Sequence, residues 1–330
     1  MFFLFISGTE VARVPGLSAA GANVDVLPFT SGADADVIRF GHPMSIDCFP
    51  LDPDGHPTPA IITRAAVLEA DVPVCVVRAG SFLPPEPPYV ELGAPAGHDP
   101  SLETAVPSAG DIFARGAFFS KNSVTSERVM LAESVPGGTT TALLVLRALG
   151  YDCMVSAAGP VNPISIKEKI WSEASSRSGI KSGDCAGEPL RAIEELGDPM
   201  QAAVLGFVSG LDSKTEVILA GGTQMLAVAA CLRAMGNTGK IKVATTKYVA
   251  SDETSSFNAT AAELGVETYV APLDFSSSPY KGLADYERGY VKEGVGAGGI
   301  VLYASYKGVD VSRIIARTNE LYKNILEPKA

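Results

Sequence analysis

The fold is decided by residues 128–150, which read RVMLAESVPGGTTTALLVLRALG. Residues 128–132 predict a buried strand, and residues 142–149 predict a helix that Gly150 terminates. The turn between them combines Pro136 with paired glycines and consecutive threonines. A buried strand, a tight turn and a helix in this order are typical of α/β proteins with a parallel sheet.

A second unit of the same kind follows. Residues 216–220 predict a strand, Gly221-Gly-Thr223 a turn, and residues 224–235 a helix that Gly236 terminates. The two helices also end alike, in Leu-Arg-Ala-Leu-Gly and Leu-Arg-Ala-Met-Gly. Duplication and shared physical constraints explain this similarity equally well. In both cases the two turns should lie at the carboxyl edge of one sheet, where ligands bind in such folds.

The remaining pattern predicts a three-layer α/β/α fold with a mainly parallel, Rossmann-like sheet and a smaller irregular or helical part. We expect an irregular N-terminal part over 1–125 with one helix–strand unit, an α/β nucleotide-binding catalytic domain over 126–310, and a C-terminal helix within 311–330. Further strands are predicted at 1–6, 72–77, 153–156, 241–245 and 266–271, and further helices at 58–69, 164–177, 199–210, 256–264 and 311–326.

Composition excludes several classes of protein. The 330 residues are 46% hydrophobic and 19% charged, which predicts a sizeable core and excludes a disordered chain. The net charge of −11 argues against nucleic acid as a partner. The apolar run 1–6 is short and has no basic residues before it, so it predicts a strand and not a signal peptide. No apolar run approaches the roughly 20 residues of a membrane span, and we expect a cytoplasmic protein.

Cysteine and histidine usage predicts neither disulfides nor a metal site. The five cysteines are scattered, odd in number and free of C-x-x-C spacing, which indicates reduced and mostly buried thiols. Only three histidines accompany them, so no metal is expected. No cofactor is expected either.

The first candidate site is the turn that follows the strand at 128–132. Gly137 and Gly138 let the backbone approach a ligand, and the helix start presents free N–H groups that favour an anion. Thr139 and Thr140 add hydroxyl donors. A simple helix cap would explain one threonine, but three threonines after two glycines exceed that need. Glu133, an acid at the strand end, is also unnecessary for packing.

The second turn has the same chemistry without the acid. Gly221, Gly222 and Thr223 could hold an anion, and close packing of the helix on its strand explains the glycines equally well.

The third candidate is Glu293-Gly-Val-Gly-Ala-Gly-Gly299. Residues 294–299 satisfy G-x-G-x-x-G, but polar residues precede them where a dinucleotide site needs a strand. A glutamate beside the backbone of Gly294 and Gly296 could accept a proton from a bound nucleophile. The alternative is a surface glutamate beside a turn. Lys167 is a lone lysine on a predicted helix; such residues are usually solvated, and a phosphate contact is the less common alternative.

Other familiar motifs are missing from the sequence. It has no G-x-x-x-x-G-K-[ST] phosphate loop, no G-x-S-x-G nucleophile elbow and no H-E-x-x-H. The acidic pair that precedes the phosphate loop of phosphoribosyltransferases using a pyrophosphorylated sugar is also missing.

Taken in order, these motifs resemble those of the nicotinate-nucleotide–dimethylbenzimidazole phosphoribosyltransferase family. That family's Gly-Glu-Met-Gly-x-Gly-Asn-Thr-Thr resembles residues 132–140, its second glycine pair resembles Gly221-Gly222, and its Glu-Gly-Thr-Gly-Ala resembles residues 293–297. A helix lysine that contacts phosphate resembles Lys167. The resemblance covers about residues 128–305, with Ala132 and Gly138 replacing a glycine and an asparagine. Segments 16–21 and 55–64 resemble a divergent branch and not the common bacterial form.

The resemblance implies transfer of 5-phosphoribose from nicotinate mononucleotide to 5,6-dimethylbenzimidazole or a similar base, a step of cobalamin synthesis. It implies Glu293 as the base, with a raised pKa in a dry pocket, and Glu133 as an orienting group. It also implies that the turns at 137–140 and 221–223, together with Lys167, hold ribose and phosphate, and that the protein is a homodimer. The alternatives are another acceptor with the same donor, a non-catalytic ribose-phosphate-binding protein, or a dinucleotide oxidoreductase.

Overall fold

The computed structural model describes residues 1–18, 23 and 25–327. Residues 19–21, which belong to the segment compared with the divergent branch, and residues 328–330 of the predicted C-terminal unit lie outside this part. The strands are β1 (Phe2–Ile6), β2 (Val74–Arg78), β3 (Tyr89–Glu91), β4 (Arg128–Ser134), β5 (Glu216–Ala220), β6 (Ile241–Thr246) and β7 (Glu267–Ala271).

Helices separate most of these strands. The α-helices are α1 (Thr30–Phe40), α2 (Ala60–Ala70), α3 (Ala109–Ser123), α4 (Gly138–Leu149), α5 (Ile164–Ser178), α6 (Pro189–Leu196), α7 (Pro199–Gly210), α8 (Gly222–Ala234), α9 (Lys247–Ala250), α10 (Phe257–Glu263), α11 (Lys281–Ala284), α12 (Ala297–Ser305) and α13 (Val311–Leu326). Short 3₁₀ helices occupy Glu10–Arg13, Leu27–Phe29 and Asp285–Arg288.

The described strands form one parallel sheet in the order β3-β2-β1-β4-β5-β6-β7. The predicted α/β class with a parallel sheet is therefore confirmed. The chain first builds the sheet outward from β1 to β3, and then returns to the other side of β1 to continue from β4 to β7. The reversal leaves a crevice at the carboxyl ends of β1 and β4, where ligands bind in such sheets.

Both faces of the sheet are buried, which explains why its strands are continuously apolar. Phe3 and Phe5 of β1 face one core, which also contains residues of α3 to α8 and of α10. Phe2 and Leu4 face the other core, together with residues of α1, α2 and α11 to α13. Successive side chains of a strand point to opposite faces, so this alternation gives the three-layer architecture.

The N-terminal part contains more regular structure than the sequence predicted. Within its described residues, segment 1–125 contributes β1 to β3 and α1 to α3, and β1 lies in the middle of the sheet. The prolines that suggested irregular structure lie in the connections between these elements. The predicted division into parts at 125 and 310 stays a prediction.

The strand predicted at 153–156 is wrong. These residues belong to no strand of the sheet, and the positions on either side of β4 are occupied by β1 and β5. The segment bonds to loops instead: the N–H of Met154 donates to Ser256 Oγ at 3.0 Å, and the N–H of Ser256 donates to the carbonyl of Met154 at 2.8 Å.

The other predicted elements are close to those observed. The strands at 1–6, 72–77, 241–245 and 266–271 and the helices at 58–69, 164–177, 199–210, 256–264 and 311–326 agree with the structure to within about two residues. The cysteines are unpaired, and Cys153, Cys185 and Cys231 are buried, as predicted. None of the helices in the described ranges is both long and apolar enough to cross a bilayer.

Helices α3 and α7 approach each other closely enough for their backbones to touch. A Cβ added to Gly206 would lie 2.0 Å from the carbonyl oxygen of Phe113, and one added to Gly116 would lie 2.5 Å from that of Ala203. Neither oxygen can move without displacing its helix, so the glycines are required for this packing. Helix α7 in turn supports the sheet, because the ring of Phe207 lies 4.8 Å from that of Phe3.

We expect Gly206→Ala to lower the free energy of unfolding by about 2 kcal/mol or more, because the new methyl group forces the two helices apart. Gly110→Ala, on the exposed side of α3 with no atom within 4 Å of its added Cβ, should change it by less than about 1 kcal/mol. Urea unfolding followed by circular dichroism measures both values. Equal stability of Gly206→Ala and the wild type would contradict this account of the packing.

Candidate active site

A cavity of about 280 Å³ opens at the carboxyl edge of the sheet, beside the crevice between β1 and β4. Its lining comes from the segments that follow β1, β4, β5 and β6, from the loop before α2, and from the segment before α12. The residues that line it and are used below are Asp34, Glu133, Ser134, Gly137, Gly138, Thr139, Ser156, Gly221, Thr223, Gln224, Val291, Lys292, Glu293 and Gly294.

Residues 137–140 form the predicted glycine-rich start of a helix. Gly137 is the N-terminal cap of α4 with φ of +83°, a conformation that favours glycine. A Cβ at this position would lie 2.9 Å from Thr9 Cγ2, so a side chain would collide with the segment that follows β1. Gly138 and Thr139 line the cavity beside the cap, and Thr140 lies behind them with its hydroxyl buried and without a partner among the described residues.

Glu133 is buried at the end of β4, with only 1% of its surface exposed. Its Oε1 atom has no hydrogen-bond partner among the described residues, and neither has Oε1 of Gln224. Burial raises the pKa of Glu133 well above its ordinary value, and the nearby carboxylates of Glu293, Asp198 and Asp34 raise it further. The raised pKa favours the protonated form of Glu133, which can donate a hydrogen bond into the cavity.

The two glycines of the second pair are required for different reasons. A Cβ on Gly221 would lie 2.9 Å from Glu133 Cγ, so a side chain here would occupy space that Glu133 uses. Gly222 has φ of +53° at the start of α8, and an added Cβ would lie 3.0 Å from Thr245 Oγ1. The structure thus supplies a steric reason for Gly221 that the sequence left open.

Glu293 is held by donors from two elements. Oε2 accepts hydrogen bonds from the N–H of Thr246 at 2.7 Å and the hydroxyl of Thr245 at 3.2 Å. Oε1 accepts from the N–H groups of Gly294 at 3.1 Å and Gly298 at 3.3 Å. The end of β6 and the start of α12 thus fix the carboxyl group in one orientation, with part of the side chain facing the cavity.

The pKa of Glu293 is raised from 4.5 to about 7. Burial is the main cause, and the hydrogen bonds from Gly294, Gly298, Thr246 and Thr245 oppose it by stabilising the charged form. A carboxyl group that titrates near neutral pH suits a general base, and it agrees with the raised pKa expected from the sequence.

The backbone around Glu293 is strained. Val291 and Val295 have φ of +45° and +56°, in the left-handed region that β-branched residues rarely adopt. The conformation is held by surrounding contacts, such as the bond from the N–H of Val295 to the carbonyl of Glu133 at 2.9 Å. Strain of this kind concentrates at functional sites, which supports a role for the segment beyond packing.

The glycines after Glu293 serve helix packing. A Cβ on Gly296 would lie 2.5 Å from Ala132 Cβ, and one on Gly299 would lie 2.2 Å from Ala220 Cβ. The start of α12 therefore lies directly on β4 and β5. Because the residues before Gly294 form a 3₁₀ helix and an irregular segment, the strand that a dinucleotide-binding turn needs does not precede this motif.

Lys167 is not solvated, contrary to the usual behaviour of a lone helix lysine. It is fully buried, and its Nζ donates to the carbonyl of Ser156 at 3.0 Å and to Oδ1 of Asn162 at 2.8 Å. Burial lowers its pKa from 10.5 to about 7. The ammonium lies beneath the loop 155–163. Residues of this loop line the cavity, but Lys167 is not among the lining residues. Its predicted contact with phosphate stays a prediction.

Most of the residues singled out from the sequence converge on one cavity. Those that line it are Glu133, Gly137, Gly138, Thr139, Gly221, Thr223, Glu293 and Gly294. Thr140, Lys167, Gly222 and Gly296 lie behind them. No group of His, Cys, Asp and Glu among the described residues could hold a metal ion.

A buried acid in the lining of the cavity was not predicted from the sequence. Asp34 of α1 accepts hydrogen bonds from the hydroxyls of Thr58 at 2.6 Å and Ser134 at 2.7 Å, and burial raises its pKa to about 6. The Asp34 carboxylate thus links Thr58, in the loop before α2, to Ser134 at the end of β4. No motif in the sequence marks Asp34, because Thr30–Phe40 also contains Asp36 and Arg39.

The cavity has a second wall built on His56. Its Nδ1 lies 2.8 Å from Asp52 Oδ2 and its Nε2 lies 3.0 Å from Asp285 Oδ2, while its ring stacks on Tyr290 at 4.0 Å. These contacts fix the loop 50–58, which lines the cavity, against the 3₁₀ helix at Asp285–Arg288.

The fold and the site define the class of this protein: an α/β protein with the fold of nicotinate-nucleotide-dimethylbenzimidazole phosphoribosyltransferase. The crystal structure of that enzyme from Thermus thermophilus matches 97% of this chain and 82% of its own chain, with a TM-score of 0.62 and 15% identity. A structure of CobT from the same organism also has a TM-score of 0.62, with 16% identity. At this level of identity the likeness concerns the fold.

The chain belongs to the UPF0284 family. It is 46% identical over 332 residues to the UPF0284 protein of Thermococcus gammatolerans, covering 100% of this chain and 99% of the relative. It is 44% identical over 333 residues to that of Pyrococcus abyssi (100% and 98% covered) and 40% identical over 336 residues to that of Methanothermobacter thermautotrophicus (99% and 93% covered). No protein-family model matches the chain.

The raised pKa of Glu293 makes stability depend on pH in a defined direction. The folded state binds the carboxyl proton of Glu293 more tightly than the unfolded chain does. The protonated Glu293 therefore contributes its full stabilisation of the folded state below a pH of about 4.5, and this contribution is lost as the pH rises through about 7. Between about pH 4 and pH 8, the stability of Glu293→Gln relative to the wild type should therefore rise by roughly 2–3 kcal/mol.

Urea unfolding at a series of pH values measures this change, and any constant cost of the amide cancels in the comparison. Glu263→Gln, which alters an exposed carboxylate on α10, serves as the control and should follow the wild type at every pH. A pH-independent difference between Glu293→Gln and the wild type would show that Glu293 has no raised pKa.

Proposed function

We propose that this protein transfers 5-phosphoribose from nicotinate mononucleotide to 5,6-dimethylbenzimidazole or a similar aromatic base. Nicotinate and α-ribazole 5′-phosphate are the products, as in the synthesis of the lower ligand of cobalamin. The observation that carries the proposal is the pair of neighbouring glutamates in the cavity. The pKa of Glu133 is raised well above its ordinary value, and that of Glu293 is raised to about 7.

The donor makes this chemistry accessible without an acid catalyst. Its pyridinium ring is already cationic, so nicotinate leaves with the electrons of the glycosidic bond. The base nitrogen of the acceptor attacks C1 of the ribose from the opposite face, which converts a β-glycosidic bond into an α bond. Cationic charge develops on the sugar ring in the transition state, and an acid-lined cavity stabilises it.

Glu293 is the general base. On bonding, the neutral benzimidazole must lose its N–H proton, and a carboxylate with a pKa of about 7 is matched to receive it. The donors from Thr245, Thr246, Gly294 and Gly298 hold the carboxylate before the acceptor arrives, so little reorganisation is needed.

Glu133 has an orienting role. Its Oε1 is buried without a partner among the described residues, which is costly unless a ligand supplies one. As a neutral acid it can donate to a ribose hydroxyl or to a ring nitrogen of the bound base. The turns at 137–140 and 221–223 hold ribose and phosphate through backbone N–H groups and hydroxyls. We also propose that the protein acts as a homodimer.

We expect the purified protein to release nicotinate from nicotinate mononucleotide when 5,6-dimethylbenzimidazole is added. Glu293→Gln should lower kcat by about 100-fold or more, because the acceptor proton has no base, while the nucleotide still binds. The kcat of the wild type should rise with pH through an apparent pKa near 7. Chromatography of free nicotinate and calorimetric binding of the nucleotide measure these quantities.

Glu263→Gln is the matched control and should retain full activity. Near-normal turnover in Glu293→Gln with intact nucleotide binding would contradict the base assignment. Nucleotide binding without nicotinate release, over a panel of bases that includes adenine and phenols, would contradict the transferase and favour a ribose-phosphate-binding protein.

A further inference from the structure

The charged residues that line the cavity are mostly acids. Asp34, Glu133 and Glu293 are among them, and Asp198 at the start of α7 is close enough to raise the pKa of Glu133. A phosphate dianion close to carboxyl groups raises their pKa and loses affinity, so binding it in this cavity requires a cation as well.

Lys292 is the lysine among the described residues that line this cavity. Lys292 lines the cavity with 6% of its surface exposed, and its Nζ bonds to Asp252 Oδ2 at 2.7 Å. The same oxygen accepts the hydroxyl of Ser156 at 2.6 Å, and the N–H of Lys292 donates to the carbonyl of Ala158 at 3.2 Å. Lys292 is thus built into the wall formed by the loop 155–163.

A second lysine lies close to Lys292. Lys167 lies beneath the same loop, near enough to Asp252 for attraction and near enough to Lys292 for repulsion. Because burial lowers the pKa of Lys167 to about 7, an anion bound in the cavity would favour the charged form of Lys167.

Lys292 also has hydrogen-bonding capacity to spare. An ammonium group has three N–H donors, and among the described residues its Nζ bonds only to Asp252. Lys167, by contrast, donates three hydrogen bonds from its Nζ, to Ser156, Asn162 and Val155. Of the two lysines, Lys292 is therefore the one placed to bind a ligand in the cavity directly.

We propose that Lys292 is a further binding residue of this site and that, with the loop 156–161, it contacts the 5′-phosphate of the phosphoribosyl donor. This assignment rests on the proposed function for the identity of the donor.

The test measures binding without an acceptor, by calorimetry with nicotinate mononucleotide, its dephosphorylated riboside and inorganic phosphate. We expect Lys292→Met to weaken nucleotide binding by about 30-fold and to leave riboside binding within about threefold of the wild type, because a charge-assisted bond to the phosphate alone is lost.

Lys292→Arg should keep nucleotide binding within about tenfold, which tests the charge even if the methionine variant does not fold. Lys169→Met, an exposed change on α5, is the control.

Asp252→Asn separates binding from a structural role. If Lys292 binds the phosphate, removing the competing carboxylate should leave nucleotide affinity unchanged or higher. Equal loss of nucleotide binding in Asp252→Asn and Lys292→Met would overturn the proposal, as would equal loss of nucleotide and riboside binding in Lys292→Met. So would an affinity for inorganic phosphate that is the same in Lys292→Met as in the wild type. Lys292-dependent nucleotide binding without nicotinate release would uphold this assignment while the proposed reaction fails.

Discussion

The structure depends on burying two carboxyl groups beside each other at the carboxyl edge of a parallel sheet. Such burial is unfavourable when both groups are charged, so one proton is retained and the two pKa values separate. The chain meets this constraint with backbone donors around Glu293 and with Gly221, which leaves room for Glu133. A side chain at Gly221 would displace Glu133.

The order of the strands explains why this pair is possible at all. The strands after β1 are added on one side of it up to β3, and the strands from β4 onward are added on its other side. The connections therefore leave β1 and β4 in opposite directions, and the crevice at the carboxyl ends of these two strands is not covered by a crossover connection. Glu133 reaches it from the end of β4, and Glu293 reaches it from the start of α12, which lies on β4 and β5 through Gly296 and Gly299. The strained valines on both sides of Glu293 show that this position is imposed by the fold and not by local preference.

Patterns within a few neighbouring residues predicted those parts of the site that lie in a single strand–turn–helix unit. The turn at 137–140 and the glycines at 221 and 222 follow from strand, turn and helix signals a few residues apart. Lys292 and Asp34 were missed because their partners are distant: Asp252 is 40 residues from Lys292, and Ser134 is 100 residues from Asp34. The burial of Lys167 depends on the loop 155–163, which an isolated helix pattern does not reveal. The strand expected at 153–156 failed for a similar reason, since local apolarity does not say whether a neighbouring position in the sheet is free.

The central claim is that the neighbouring glutamates support a single displacement at C1 of the ribose, with Glu293 taking the proton of the acceptor. The stereochemistry of the product tests this claim most directly. Proton NMR of the ribotide formed from nicotinate mononucleotide and 5,6-dimethylbenzimidazole would identify the configuration at C1. The account predicts the α-anomer alone, the result of one inversion. A β-anomer would contradict it, because it requires either two displacements or attack from the same face.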